Sequence, residues 1–312
     1  MALRISKLKQ ALPDIERVLD GTGKRVLSFT ELRVLLEMHR AKWQLPVSTG
    51  LGQFLEALTL NSRLTEVRIE LPHRPALRYT WNSPSTLEIV QSLSRKGYFS
   101  HYSAIFLHGL TTQIPRSIYF NIEQPGRGGG GELTQASIDR AFRGAGRVSH
   151  NVTTLLDQEL NVLNGQNTGE LGVIDFSSTE GQSLRVTNIE RTLIDATVRP
   201  YYSAGVHEVA AAFVAAAEQL SLNRIVAYLR TLNFTYPYHQ AIGYYLQRTG
   251  RFSSKQLEPF QEIGLSFDFY LTYGMKETQY VPEWRLFVPQ GFDSPVGERP
   301  ATLWTGSYAD HG

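Results

Sequence analysis

Residues 63–81 read RLTEVRIELPHRPALRYTW. Val67, Ile69 and Leu71 alternate with Glu66, Arg68 and Glu70. Beyond a Pro-rich tip, Leu77, Tyr79 and Trp81 alternate with Arg78 and Thr80. A period of two predicts two strands, each with one buried face. The tip, Pro72-His73-Arg74-Pro75, is too stiff for a two-residue turn and predicts a longer projecting loop. A two-stranded hairpin is marginal alone in water, so it needs a partner layer.

The sequence just upstream supplies helices. Ser28-Phe29-Thr30-Glu31 has the pattern of a capping box, in which Ser28 accepts from the third helical amide and Glu31 reaches back to the Ser28 N–H. Leu32, Leu35 and Leu36 then form one stripe, and Pro46 lies beyond the helix end. A second helix is expected to start at Ser48 or Thr49, with Leu51, Phe54, Leu55 and Leu58 at amphipathic spacing and Asn61 as terminator. Before both, Ile15, Val18 and Leu19 mark another helix, with Pro13 placed near its first turn. Three helices followed by a hairpin with a basic tip is the plan of a winged helix-turn-helix over residues 1–82.

Charge points the same way. Residues 1–82 hold 13 Lys and Arg against 8 Asp and Glu, a surplus of five, whereas the 312-residue chain nets only +2. The positive excess therefore sits on the segment that reads as a DNA binder. Glu56, on the exposed side of the expected recognition helix, runs against close phosphate contact. Winged helices also serve as protein-docking modules, and that reading stays open. The absence of cysteine excludes disulfides, thiolate zinc fingers and a Cys nucleophile, and fits a cytoplasmic protein. The charged N-terminus (Arg4, Lys7, Lys9) does not read as a signal peptide, and no apolar run approaches the ~20 residues of a membrane helix.

Downstream, Ser85 and Glu88 form another capping box, opening a helix expected to run through Lys96 and stop at Gly97. Tyr102 to Leu110 reads as a helix and Ser117 to Ile122 as a strand. Leu171 to Phe176 and Leu184 to Val186 read as strands, and Thr187 with Glu190 as a capping box for a helix through Val198. Helices are expected at 203–219, 221–231, 238–249 and 254–263, with short strands near 265–271 and from Trp284 to Val288. The expected class is α+β: the winged helix over 1–82, a mixed α/β domain over 83–290 with a helical C-terminal portion, and an extended tail over 291–312.

No catalytic set emerges. Gly126 to Gly131 lacks the Lys-Ser/Thr of a phosphate loop, and no core strand leads directly into it. A divergent metal-dependent nuclease would use Asp175, but the next strand, Leu184-Arg185-Val186, lacks the Glu-x-Lys partner. His101 and His108 are seven apart, not the four of a helical zinc pair. Ser103 and Ser149 lack a nucleophile elbow. Glu190 belongs to a cap, and Arg191 with Asp195 is an i,i+4 pair. No enzyme activity, cofactor or metal is expected.

Two motifs carry a family resemblance. SHYSAIFLHGLTTQIPRSIYF (100–120) holds Ser103–Thr111, and VTNIERTLIDATVRP (186–200) holds Glu190–Asp195. Together they resemble the AbiEi family, over about residues 5–290. Those proteins are antitoxins and autoregulators of type IV toxin–antitoxin systems linked to abortive phage infection. The resemblance implies a winged-helix DNA-binding domain, binding to repeats in the chain's own promoter, and a nucleotidyltransferase-like toxin as functional partner, with direct contact left open. The Gly-rich insertion at 126–131 and the tail past Pro289 depart from shorter members. Ser103, His108, Glu190 and Asp195 are carried over as structural signatures only.

The expected interface with double-stranded DNA follows. Ser48, Thr49 and Gln53 would meet base edges or phosphates. His73 and Arg74 at the wing tip would reach a neighbouring groove or backbone. Arg40, Lys42, Arg63, Arg68 and Arg78 would contact phosphates, making affinity steeply salt-dependent.

Overall fold

The computed structural model describes residues 2–125, 132–177 and 183–292, with side chains from residue 7 onward. The Gly-rich loop at 126–131 and all but the first residues of the expected tail lie outside the described residues. The chain forms two compact units. Unit 1 is Met1–Gly129 with Arg147–Asp195, and unit 2 is Gly130–Gly146 with Ala196–Gly312. The expected boundary at residue 82 therefore falls inside unit 1.

Unit 1 opens with α1 (Ala2–Gly21), β1 (Val26–Ser28), α2 (Phe29–His39), α3 (Leu51–Asn61), β2 (Leu64–Ile69) and β3 (Ala76–Trp81). Leu8, Ala11, Ile15 and Leu19 recur at three- and four-residue steps along α1 and are all buried. Pro13 lies inside this 20-residue helix, not near its first turn. It costs the helix one i to i−4 bond, on a face that is otherwise solvated. The Ser28–Glu31 capping box is present, and Leu32, Leu35 and Leu36 are buried. Helix α3 starts two or three residues later than expected: Gly50 is its N-cap, and no side chain caps it. Phe54, Leu55 and Leu58 seat it against α1 and α2 in one core with Tyr79 and Trp81.

The hairpin departs from its sequence pattern in one consequential way. β3 is the middle of a three-stranded antiparallel sheet of order β1-β3-β2, and β1 carried no sequence signal. Register pairs Leu64 with Trp81, Glu66 with Tyr79 and Arg68 with Leu77, so these residues share a face. Val67, opposite Arg78, and Ile69, opposite Ala76, lie on the other face. Leu64, Tyr79 and Trp81 join the helical core, whereas Ile69, Val67, Ala76 and Val26 pack into a second core with the following sheet. Both faces of the hairpin are thus covered, not one.

That following sheet has six strands in the order β6-β7-β5-β4-β9-β8. Its elements are α4 (Thr86–Gln91), β4 (Tyr98–Phe99), α5 (His101–Leu107), β5 (Ser117–Gln124), β6 (Val152–Leu155), β7 (Gln158–Gln166), β8 (Val173–Ser177) and β9 (Ser183–Thr187). The pairs β5–β7 and β4–β9 are parallel and the other neighbours antiparallel. The Ser85–Glu88 capping box forms as expected, but α4 ends at Gln91 instead of Lys96. Gly97 is needed for another reason: a Cβ there would lie 2.3 Å from Phe120 Cζ, inside the ring's contact distance. Helix α7 (Ile189–Val198) is capped by Asn188, whose Oδ1 accepts from the Arg191 N–H at 3.0 Å, and not by Thr187, which ends β9.

Unit 2 is mostly helical, with α6 (Gln135–Arg143), α8 (Val206–Ala216), α9 (Leu222–Leu232), α10 (Tyr238–Arg248) and α11 (Ser254–Gln261). Expected helices cover the last four, whereas α6 was not foreseen. A small sheet of order β10-β12-β11 closes it, from Phe269–Tyr270, Leu286–Pro289 and Thr278–Val281 respectively. Trp284 begins no strand and sits in a 3-10 turn, fully buried against Gly243 of α10. The α+β class holds among the described residues, and no helix among them is long and apolar enough to cross a membrane.

Candidate nucleic-acid interface

The connection between β2 and β3 spans residues 70–75, and Pro72, His73, Arg74 and Pro75 are all exposed. Two prolines stiffen it, and neither His73 nor Arg74 makes a hydrogen bond or ion pair among the described residues. Lys42, in the turn after α2, is likewise exposed and unpaired there. Ser48 and Gln53 are exposed, but Thr49 is 1% exposed and points inward. The outward side of α3 carries Gly52, Gln53, Glu56 and Leu60, with Glu56 its only charge. The polar side chains that this outward side offers are therefore Gln53 and Glu56, with Ser48 ahead of the helix.

The remaining arginines of the expected set are engaged within the protein to different degrees. Arg40 Nη1 donates to the Pro46 and Thr49 carbonyls at 2.8 and 3.0 Å. Its other nitrogens hold Glu37, so its guanidinium closes the turn that aims α3. Arg63 donates to Asp20 at 3.0 Å and to Asn82 at 2.8 Å, and lies 4.5 Å above the Trp81 ring. The Trp81 indole N–H and Arg63 together hold the Asp20 carboxyl below its usual range. Arg68 pairs with Glu70 at 2.5 Å and stays exposed. Arg78 is turned away from solution. Its Nε and Nη2 donate to the Ser92 hydroxyl and carbonyl at 2.9 and 3.0 Å, and burial lowers its pKa. It ties the hairpin to the end of α4, which a phosphate contact could not do.

Arg33 is an exposed cation near the expected recognition helix that the sequence reading passed over. It lies on the exposed side of α2 with Val34 and Glu37 and has no partner among the described residues. Its position opposite the buried Leu32, Leu35 and Leu36 in the 3.6-residue period was the available signal.

The motif residues of residues 100–200 make structural bonds. Ser103 Oγ accepts from the Tyr119 N–H at 2.8 Å, and His108 Nε2 donates to the Thr187 carbonyl at 2.7 Å. Burial lowers the His108 pKa, so its ring is neutral near pH 7. His101 lies beside Ser100 at 2.9 Å, and the two histidines share no ligand geometry. Arg191 donates to Asp195 at 2.8 Å and to the Leu171 carbonyl at 2.8 Å. Glu123 accepts from the Thr168 N–H at 3.0 Å and from the Tyr98 hydroxyl at 3.1 Å. Burial pushes the Glu123 carboxyl up, but these hydrogen bonds outweigh it and hold the pKa low. This buried network fastens the 167–171 loop; β-alternation alone gave no sign of it. Asp175 is exposed on β8 opposite Arg185, and no group of three metal-type ligands occurs among the described residues.

No protein-family model matches this chain, and no curated protein matches it. Among solved structures, it is similar to the crystal structure of the RV2827C protein from Mycobacterium tuberculosis, at 14% identity and a TM-score of 0.56, covering 88% of this chain and 90% of that one. At that identity the likeness is one of fold.

Proposed function

We propose that this chain is a DNA-binding antitoxin of the AbiEi type, acting in the cytoplasm. It represses its own toxin–antitoxin operon and counteracts a nucleotidyltransferase-like toxin. The observation that supports the reading is the N-terminal element order α1-β1-α2-α3-β2-β3, three helices with a three-stranded sheet of order β1-β3-β2, which we read as a winged helix. It coincides with the segment holding the positive excess. Ser48 and Gln53 supply the polar readers, and Arg33, Lys42, Arg68, His73 and Arg74 the exposed basic groups. The Ser103–Thr111 and Glu190–Asp195 motifs supply the family.

The test is a gel shift with the DNA upstream of the chain's own operon, titrated against salt, beside co-purification with the neighbouring gene product. A specific shift that weakens steeply with salt is expected. No preference for that fragment over random duplex would overturn the repressor reading. A second reading, a protein-docking winged helix, is favoured by Met38, Val47 and Leu60, which are 74%, 90% and 75% exposed on the same N-terminal segment. Co-purification of the toxin without any DNA shift would establish it instead.

A further inference from the structure

The turn between α9 and α10 walls a cleft in unit 2. Its volume is about 390 Å³, near the lower end for small-molecule sites. One bank is the end of α9 with the turn at 233–237, and the other is the 263–267 segment. The chain itself joins the banks. His239 Nε2 donates to the Gly264 carbonyl at 2.6 Å, and Gln240 Nε2 donates to the Phe267 carbonyl at 3.0 Å. Gly264 has a φ of +124°, where a side chain would strain the backbone.

The lining combines aromatic rings with polar groups that the fold does not use. Phe234, Tyr236 and Phe267 line the cleft and are each half-buried. Tyr236 packs edge-to-face on Phe142 with centroids 5.2 Å apart, and Phe234 on Tyr238 at 5.4 Å. Phe267 packs on no other ring among the described residues. Arg230, Asn233, Thr235 and Ser266 also line the cleft and are exposed. None of these four side chains makes a hydrogen bond or ion pair among the described residues. Charge narrows the ligand. Arg230 is the one full charge in the lining, no carboxylate stands beside it, and burial keeps the His239 ring neutral near pH 7. One guanidinium matches a monoanion, and its two parallel donors fit a carboxylate. A phosphate dianion would leave one charge unmatched. The rings suit a flat apolar body.

We propose that this cleft binds a small aromatic carboxylate, one ring or a fused pair with a short acidic arm, its carboxylate on Arg230 and its ring against Phe234 and Phe267. The assignment does not rest on the DNA-binding reading. The test is calorimetric titration of the full chain with indole-3-acetate, phenylacetate, indole, acetate and phenyl phosphate. One saturable site is expected for the aromatic acids. Indole, which lacks the charge, and acetate, which lacks the ring, should each bind about tenfold more weakly or worse. Arg230→Gln should weaken the acids about tenfold or more, the loss of a charge-assisted pair, and leave indole unchanged. Retained indole binding also reports an intact cleft. Phe267→Leu keeps apolar bulk but loses the ring, and should weaken the acids and indole alike by about threefold. Several results would overturn the proposal: no saturable binding of either acid, indole or acetate as tight as indole-3-acetate, or phenyl phosphate tighter than phenylacetate. Unchanged acid affinity in either variant, or a loss in Arg230→Gln that indole shares equally, would do the same.

Discussion

Arg74 and Arg78 stand four residues apart and read alike in the sequence, yet they hold opposite positions. Arg74 projects from a proline-stiffened tip, while Arg78 is half-buried on Ser92. In the proposed function, Arg74→Ala weakens binding to specific and random duplex alike by about 1 kcal/mol and makes the salt slope shallower. An unchanged titration against promoter DNA would remove the tip from the interface. Arg78→Ala should leave DNA affinity intact and instead lower stability by about 1–3 kcal/mol, because Ser92 and Leu77 lose their donor in a partly buried site. Denaturant unfolding of the two variants separates the roles. Which arginine faced solution was not legible in the alternation, because the deciding partner, Ser92, lies 14 residues on and across a different element. The internal partners of Arg40 and Arg63, both expected to meet phosphates, were hidden for the same reason: their acceptors are backbone carbonyls and an Asp20 brought close only by folding.

At the scale of elements, local rules were legible where they are local. The capping boxes at Ser28 and Ser85 form as their spacing requires, because donor and acceptor are three residues apart in one chain. Ser28→Ala should cost about 1 kcal/mol of stability, read by chemical denaturation. The partner Glu31 gives this cap an acid dependence. Burial pushes the Glu31 carboxyl up, but hydrogen bonds from Lys24 and from the Ser28 amide and hydroxyl outweigh it, and its pKa falls to about 2. A carboxyl depressed in the folded state stabilises above its unfolded pKa, near 4.5, and that contribution disappears as pH falls toward about 2. Stability measured from pH 5 to pH 2 should therefore fall less steeply in Glu31→Gln than in wild type. Strands β1 and β4 escaped notice because three and two residues are too short to display a period, and they exist only through pairing with β3 and β5.

At the scale of the whole molecule, the doubly covered hairpin predicts that residues 1–82 are not an independent domain. Cutting at residue 82 strips the second core from Val67, Ile69 and Ala76. The 1–82 fragment should therefore bind a hydrophobic dye and unfold at lower denaturant than the N-terminal region of the full chain. A fragment as stable as the intact protein would show that this second face adds nothing. Half-buried His108 and buried His239 add a milder acid response. Burial lowers the pKa of His108 and of His239, so the unfolded chain takes up protons first, below about pH 6.5. The melting temperature should fall between pH 7.5 and pH 5.5, with a shallower slope in His239→Gln. By itself, the sequence determined the local items: the capping boxes, the amphipathic helices, the two hairpin strands and the exposed basic tip, all of which depend on residues within one or two turns of each other. Only the tertiary structure decided which face of each strand is buried and which arginines remain in solution. Those outcomes depend on partners supplied by other elements, and periodicity along one chain holds no record of what lies across from it.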